Sequence, residues 1–279
     1  MYQELYERLF LVSKQAGVVA KMMQQGILNE GKKVDLLEGE DAHHKAMREA
    51  KTKADEIVQE MILTSLLPKY KDILTLDVEE DTESIQLFTK QDYAMTLVLD
   101  PIDGTLDYLQ QRDTYSICSA ILQDQDMKVA LVYFPARDEM YSYCDGVGTL
   151  FYKKVSCMDI NDGEELNYIP NEHTPSIIYK NSRLSQDIVQ HLIEQGYTVV
   201  DDQEHRLGCP DAIYKCMRGE ALAYFSDTRN IRDILMGAIL GKMKYGHYYT
   251  YLGEDAVWES HGRQKEIVFS IYEKEKIFK

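Results

Sequence analysis

The stretch that most constrains this chain is Thr96-Leu97-Val98-Leu99-Asp100-Pro101-Ile102-Asp103-Gly104-Thr105. A run of apolar and β-prone residues leads into a carboxylate, a proline follows, and Asp103 comes three residues after Asp100. Proline has no N–H to give to a neighbouring strand, so Pro101 is expected to end the ladder at Asp100. Gly104 widens the backbone conformations available at little steric cost, and Thr105 adds a hydroxyl where a turn or helix should open. The pattern describes a buried strand that aims two carboxylates from its end. Hard oxygen donors of this kind suit Mg²⁺, which takes a few carboxylates and keeps positions for water and phosphate oxygens. The free N–H groups at the start of a following helix suit a phosphate anion. An Asp-Gly pair alone marks only a turn; the strand before it and the second carboxylate across the proline favour the metal reading.

Composition sets the outer limits. With 279 residues and 44% hydrophobic content, the chain can bury a sizeable core. Its formal net charge of −16 opposes binding to a nucleic-acid polymer, which needs Lys/Arg surfaces. The five cysteines, Cys118, Cys144, Cys157, Cys209 and Cys216, are odd in number and form no Cys-x-x-Cys, so reduced thiols in a cytoplasmic protein are expected. The first residues lack the basic and apolar segments of a signal peptide, and no apolar run is long enough to span a membrane.

Along the chain, Leu5, Leu9, Val12, Ala16, Val19 and Met23 predict an amphipathic helix over 4–25. Residues 27–42 read as a mobile polar loop. A second helix is expected from Ala42 to Leu67 on the stripe Ala46, Ala50, Ala54, Val58, Met61 and Ile62, closed by Pro68, with Asp55 bordering that stripe. His43 and His44 open it and read as surface residues, because no second ligand pair accompanies them. Residues 73–81 read as a strand ending in the carboxylates of Asp77, Glu79, Glu80 and Asp81, followed by the strand 94–100. Four closely spaced strands, 115–122, 128–134, 139–144 and 150–155, predict an antiparallel meander. The polar stretch 157–174 marks a boundary. Strands at 176–179, 197–200 and 221–225 then alternate with helices at 184–195, 210–217 and 231–243, which predicts a second sheet covered by helices, with Asp233 in the first turn of the last helix. The division is one domain over 1–279 with sub-domains at about 1–156 (metal-binding α+β) and 175–279 (α/β).

Several chemistries are disfavoured by missing motifs. The chain has no Gly-x-x-x-x-Gly-Lys-Ser/Thr, no Gly-x-Ser-x-Gly and no His-Glu-x-x-His. Phosphatases that form an aspartyl-phosphate pair two Asp residues two apart near the chain start. Asp100 and Asp103 are three apart, mid-chain and behind a proline, so they read as metal ligands.

Asp100-Pro101-Ile102-Asp103-Gly104-Thr105 resembles the signature of the inositol monophosphatase family, within the Mg²⁺-dependent, lithium-sensitive phosphatase superfamily. Thr52-Lys53-Ala54-Asp55, Glu79-Glu80, Val132-Tyr133-Phe134-Pro135, Asp138-Glu139-Met140-Tyr141, Gly146-Val147-Gly148, Ser182-Arg183, Gly208-Cys209 and Arg232-Asp233 with Ala238 extend the similarity over about residues 5–260. The resemblance implies an α-β-α-β-α layered sandwich of the inositol monophosphatase and fructose-1,6-bisphosphatase type. It implies two or three Mg²⁺ ions held by Glu79, Asp100, the Ile102 carbonyl, Asp103 and Asp233, with Glu80 the alternative to Glu79. It implies catalytic roles for Thr105, Asp55 and Glu79, and substrate contacts from Asp103, Gly104, Thr105, Gly208, Asp227 and Asp233. The activity implied is hydrolysis of a small phosphorylated metabolite, a polyol or sugar phosphate such as inositol 1-phosphate, by a homodimer. The alternatives are a 3′(2′),5′-bisphosphate nucleotidase, a fructose-1,6-bisphosphatase or a non-catalytic binding member. The chain departs from the family pattern at Asp107-Tyr108, Cys209, Ser226-Asp227, Arg232 and Lys244-Tyr245-Gly246, which are mainly substrate-contact positions.

Overall fold

The computed structural model describes residues 1–32, 42–89, 95–124, 126–170, 173, 175–202, 207–228, 231–250 and 264–278. Helix α1 (Tyr2–Met23) buries Leu5, Leu9, Val12 and Ala16 of the expected stripe; in its last turns Ala20 is buried while Val19 and Met23 are half-buried. The helix expected over 42–67 is two helices, α2 (Ala42–Glu49) and α3 (Lys53–Tyr70). The break is chemical. Thr52 is extended (φ −132°, ψ 165°) and its hydroxyl accepts the Ala54 N–H, while Asp55 accepts the Thr52 N–H, a capping box that starts a new helix. Pro68 does not close α3, which runs on to the buried Tyr70. The predicted loop over 27–42 has no regular structure up to Lys32; residues 33–41 and the side chains of His43 and His44 lie outside what is described.

The first sheet contains β1 (Thr75–Val78), β2 (Met95–Asp103), β3 (Ser116–Gln123), β4 (Asp126–Phe134), β5 (Glu139–Cys144), β6 (Gly148–Lys153) and the short β7 (Glu164–Glu165), side by side in chain order. β1 and β2 are parallel and the rest form the expected antiparallel meander. A 3₁₀ turn at Glu83–Leu87 joins β1 towards β2, and the single-turn helix α4 (Thr105–Leu109) follows β2. Pro101 does not end β2. Asp100 pairs with Cys118 and Asp103 with Ser116, so three steps on β2 face two on β3 and the proline sits in a bulge.

The second half runs β8 (Ile177–Lys180), α5 (Gln186–Glu194), β9 (Thr198–Asp201), α6 (Cys209–Met217), β10 (Ala223–Thr228), a 3₁₀ turn (Ile231–Ile234), α7 (Leu235–Lys242), β11 (His247–Thr250), β12 (Gln264–Ser270) and α8 (Lys274–Ile277). Its sheet has the order β11-β12-β10-β8-β9. The helix expected over 231–243 thus begins as a 3₁₀ turn, and Asp233 lies in that turn rather than in α7. β11, β12 and α8 were not predicted; the signal was present in the aromatic and β-branched runs His247–Thr250 and Ile267–Phe269.

Alternation along the strands of the first sheet divides the core. Leu97, Leu99, Ile117, Leu131 and Tyr133 pack with α1 and α3 on one face. Val98, Cys118, Ala120, Val132 and Tyr141 pack on the other with α6, α7 and the second sheet. The helices α6 and α7 lie between the sheets, and α5 covers the second sheet at β9. The layering is α-β-α-β-α, as expected. All five cysteines are free thiols. Among the described residues no helix is long and apolar enough to cross a membrane.

Candidate active site

The bulge in β2 places Asp100, Ile102 and Asp103 together where the strand ends. The carboxylate of Asp100 accepts the Ile102 N–H at 3.1 Å, which turns the chain back beneath it. Asp103 accepts from the Ser116 hydroxyl at 3.4 Å across the ladder. Gly104 then adopts a left-handed conformation (φ 86°, ψ 41°) that a side chain would resist, and this sends the backbone into α4. The Thr105 hydroxyl, on the first residue of α4, lies 3.0 Å from the Ile102 carbonyl and 3.2 Å from Asp55, with one proton to donate to either.

Asp55 is fully buried and held from its own helix end: one oxygen accepts both the Thr52 N–H (2.9 Å) and the Thr52 hydroxyl (2.7 Å). Burial pushes its carboxyl up to about 6; the charges of Glu79 and Glu80 add to the rise, and the hydrogen bonds from Thr52 oppose it.

Glu79 lies beyond the end of β1, near enough to Asp100 for the two carboxyls to act on each other. Burial alone would raise the Glu79 carboxyl, but the Lys32 ammonium, the neighbouring Asp100 and the Arg232 guanidinium together hold it below the usual carboxylate range. Asp100 is pushed the other way, by burial and by the charges of Glu79, Asp103 and Asp233. Asp103 is raised by burial and by the charges of Asp233 and Glu79. Glu80 faces elsewhere: it is buried against Lys32 and Lys51, and Gln59 accepts its N–H at 3.0 Å.

The 3₁₀ turn packs on β2 and brings Asp233 into the field of Asp100 and Asp103. Carboxylates from three segments far apart in sequence are gathered here. Cations border the cluster: Lys32 lies 2.6 Å from Glu79, and Arg183 lies 4.0 Å from Asp233. Among the described residues no ion pair reaches Asp100 or Asp103. Nor do any three described His, Cys, Asp or Glu side chains form a ready-made metal cage. The charges of Glu79, Asp103 and Asp233 nonetheless reach Asp100, and those of Asp233 and Glu79 reach Asp103. Mg²⁺ keeps much of its water and needs no closed protein cage. Hard oxygens gathered at one strand end, with the carboxyls of Asp100 and Asp103 pushed up by burial and by their acidic neighbours, are a donor set that a divalent cation would relieve, so Glu79, Asp100, Asp103, Asp233 and the Ile102 carbonyl could hold one.

Gly208 caps α6 beside the strand that leads to β3; a side chain there would sit 3.4 Å from the Thr114 carbonyl. The neighbouring Cys209 feels the charges of Asp103 and Asp233, so this helix start faces the cluster. The contacts described for Asp227 run to Asn181, which accepts its N–H at 3.2 Å. Lys32 and Ser116 escaped the sequence reading, because their partners are distant in sequence or across a ladder; Thr52, singled out there within Thr52-Lys53-Ala54-Asp55, holds Asp55 through its N–H and hydroxyl.

A profile of the inositol monophosphatase family matches residues 2–242. The chain belongs to the inositol monophosphatase family. It is therefore a phosphomonoesterase of that family, in which metal dependence is general. Among curated relatives it is 24% identical over 208 residues (72% of this chain, 69% of the relative) to a protein of Xylella fastidiosa named Nus factor SuhB. It is 28% identical over 131 residues (47% and 43%) to an inositol monophosphatase of Dictyostelium discoideum. Among solved structures, an inositol monophosphatase/NADP phosphatase complexed with NADP and Ca²⁺ superposes with TM-score 0.71 at 17% identity, covering 99% of this chain and 94% of that one. A staphylococcal inositol monophosphatase complexed with products gives TM-score 0.68 at 18% identity, covering 95% and 89%. At these identities the structures establish the fold.

Proposed function

We propose that this protein is a Mg²⁺-dependent hydrolase of a small phosphorylated polyol or sugar, with inositol 1-phosphate the leading candidate. The observation that carries this is the gathering of the half-buried Glu79, Asp103 and Asp233 around the buried Asp100, from three separate segments, next to a hydroxyl–carboxylate pair. A solved relative of the same fold is described as bound with D-inositol-1-phosphate and as dual-specific for NADP phosphate, which supports a phosphate monoester of this size.

Glu79, Asp100, Asp103, Asp233 and the Ile102 carbonyl would hold two or three ions. Once bound, Mg²⁺ would lower the pKa of a coordinated water and neutralise charge on the phosphoryl oxygens and leaving group. The Thr105 hydroxyl orients the attacking water, and Asp55, with its carboxyl near neutrality, accepts the proton passed through Thr105. The N–H groups of Gly104 and Thr105 hold phosphate oxygens as charge develops on them. Asp233, Gly208 and Asp227 line the side from which the alcohol part enters. One catalytic unit over the whole chain, working in the cytoplasm as a homodimer and inhibited by lithium, completes the reading.

The test is phosphate release from inositol 1-phosphate, fructose 1,6-bisphosphate, adenosine 3′,5′-bisphosphate and NADP, with and without Mg²⁺, for wild type and Asp100→Asn. Mg²⁺-dependent release that Asp100→Asn abolishes is expected. Unchanged activity in that variant removes the proposal, and preference for a nucleotide replaces inositol phosphate as the substrate.

A further inference from the structure

One side chain at the cluster is unused by that mechanism. Arg232 precedes Asp233 in the same 3₁₀ turn. Its guanidinium lies 3.8 Å from the Asp77 carboxylate on β1, and its side chain is 18% exposed. Its charge also reaches the Glu79 carboxyl. One turn therefore delivers an anion towards β2 and a cation towards β1. Ile231 and Ile234, both buried, fix this turn on the core. An arginine does not lose its proton in a protein, and a chelator cannot remove it.

We propose that Arg232 is a permanent positive charge built into the rim of the carboxylate cluster, steadying Asp77 and Glu79 in the metal-free protein and opposing the entry of divalent ions. The second half rests on the metal reading above; the first does not. Gathering Asp77, Glu79, Asp100, Asp103 and Asp233 sets like charges against one another, and a fixed cation offsets part of that repulsion. The same field repels a second cation. Arg232 is thus a positioning residue whose charge sets how tightly the site draws ions from solution, and so the ion concentration at which it fills.

The two effects have opposite signs, and this makes the test sharp. Full-length Arg232→Gln, Arg232→Met and Arg232→Lys are stripped with chelator. Their melting temperatures are then measured without metal, and Mn²⁺ affinity is measured by calorimetry. Both neutral variants should melt roughly 2–4 °C lower than wild type without metal. Both should bind Mn²⁺ about fivefold more tightly at low ionic strength, the Coulomb expectation for a unit and a double charge roughly 8 Å apart in a water-like medium. The affinity gap should close in ~1 M NaCl, where screening acts within about 3 Å. Arg232→Lys should match wild type in both readouts. Neutral variants that bind Mn²⁺ no more tightly than wild type overturn the proposal, as does an Arg232→Lys that melts as low as they do, which would make the role one of shape. A wild type that binds no divalent ion overturns the metal reading, while the metal-free melting temperatures still decide the stabilising role.

Discussion

Replacing Asp55 by Asn should stabilise the metal-free protein at pH 8 while removing its activity. The side chain is fully buried, and burial raises its carboxyl to about 6 from an ordinary 3.8. A folded-state pKa above the unfolded one means that folding favours the protonated form. The stability this group contributes is complete below about pH 4 and lost as pH rises through about 6. The gap between the two values corresponds to about 3 kcal/mol at pH 8, an upper figure for the gain from a neutral isostere. Asn can keep the geometry. Its carbonyl oxygen can accept the Thr52 N–H and hydroxyl that Asp55 accepts now, and its amide can donate to Thr105, whose own proton then goes to the Ile102 carbonyl. Urea unfolding with chelator present, at pH 8 and pH 4, measures the effect. The variant should gain at pH 8 and match wild type at pH 4. Turnover with Mg²⁺ should fall by about 10²-fold or more, because an amide accepts no proton. No gain at pH 8, or an equal gain at both pH values, would refute the argument that burial of the charge governs this residue.

Thr52→Ala removes the helix cap and should cost about 1 kcal/mol in urea unfolding. It also removes a hydrogen bond that favours ionised Asp55, so the acid limb of the kcat/KM profile, expected near pH 6 in wild type, should move up. Arg137, in the turn between β4 and β5, clamps the buried Asp211 of α6 with two N–H donors, one at 2.9 Å. Arg137→Met strands that carboxylate and should destabilise by roughly 3 kcal/mol, read by the same assay. At Gly246 a Cβ would lie 1.6 Å from the Leu240 carbonyl. Gly246→Ala should therefore lower the melting temperature by several degrees or prevent soluble expression, which marks this departure from the family pattern as a packing constraint.

The site was legible from sequence because its parts carry local signals. A buried-type strand running into Asp100-Pro101-Ile102-Asp103-Gly104-Thr105 has few other uses, and Thr52-Lys53-Ala54-Asp55 marks a helix start by capping chemistry alone. The differences have physical causes. A capping box at Thr52 breaks the helix that the alanine stripe predicts over 42–67, one local signal outweighing another. A bulge lets Pro101 join a strand, and Asp233 sits in a 3₁₀ turn packed on β2 rather than in the helix that follows. In these two places the local preference yields to packing that only the whole chain supplies.

Sequence alone determined that helices and two sheets alternate in this order, and its motifs carried the resemblance that gives the family and the layered architecture, since alternation, helical spacing and motif spacing are properties of neighbours along the chain. Tertiary structure decided how the acidic residues stand to one another. It joined the Thr52 cap to Thr105 through Asp55, and set Lys32 and Arg232 against the acidic rim. Charges act through space, and their effect depends on distance and burial, which the order of residues along a chain does not contain.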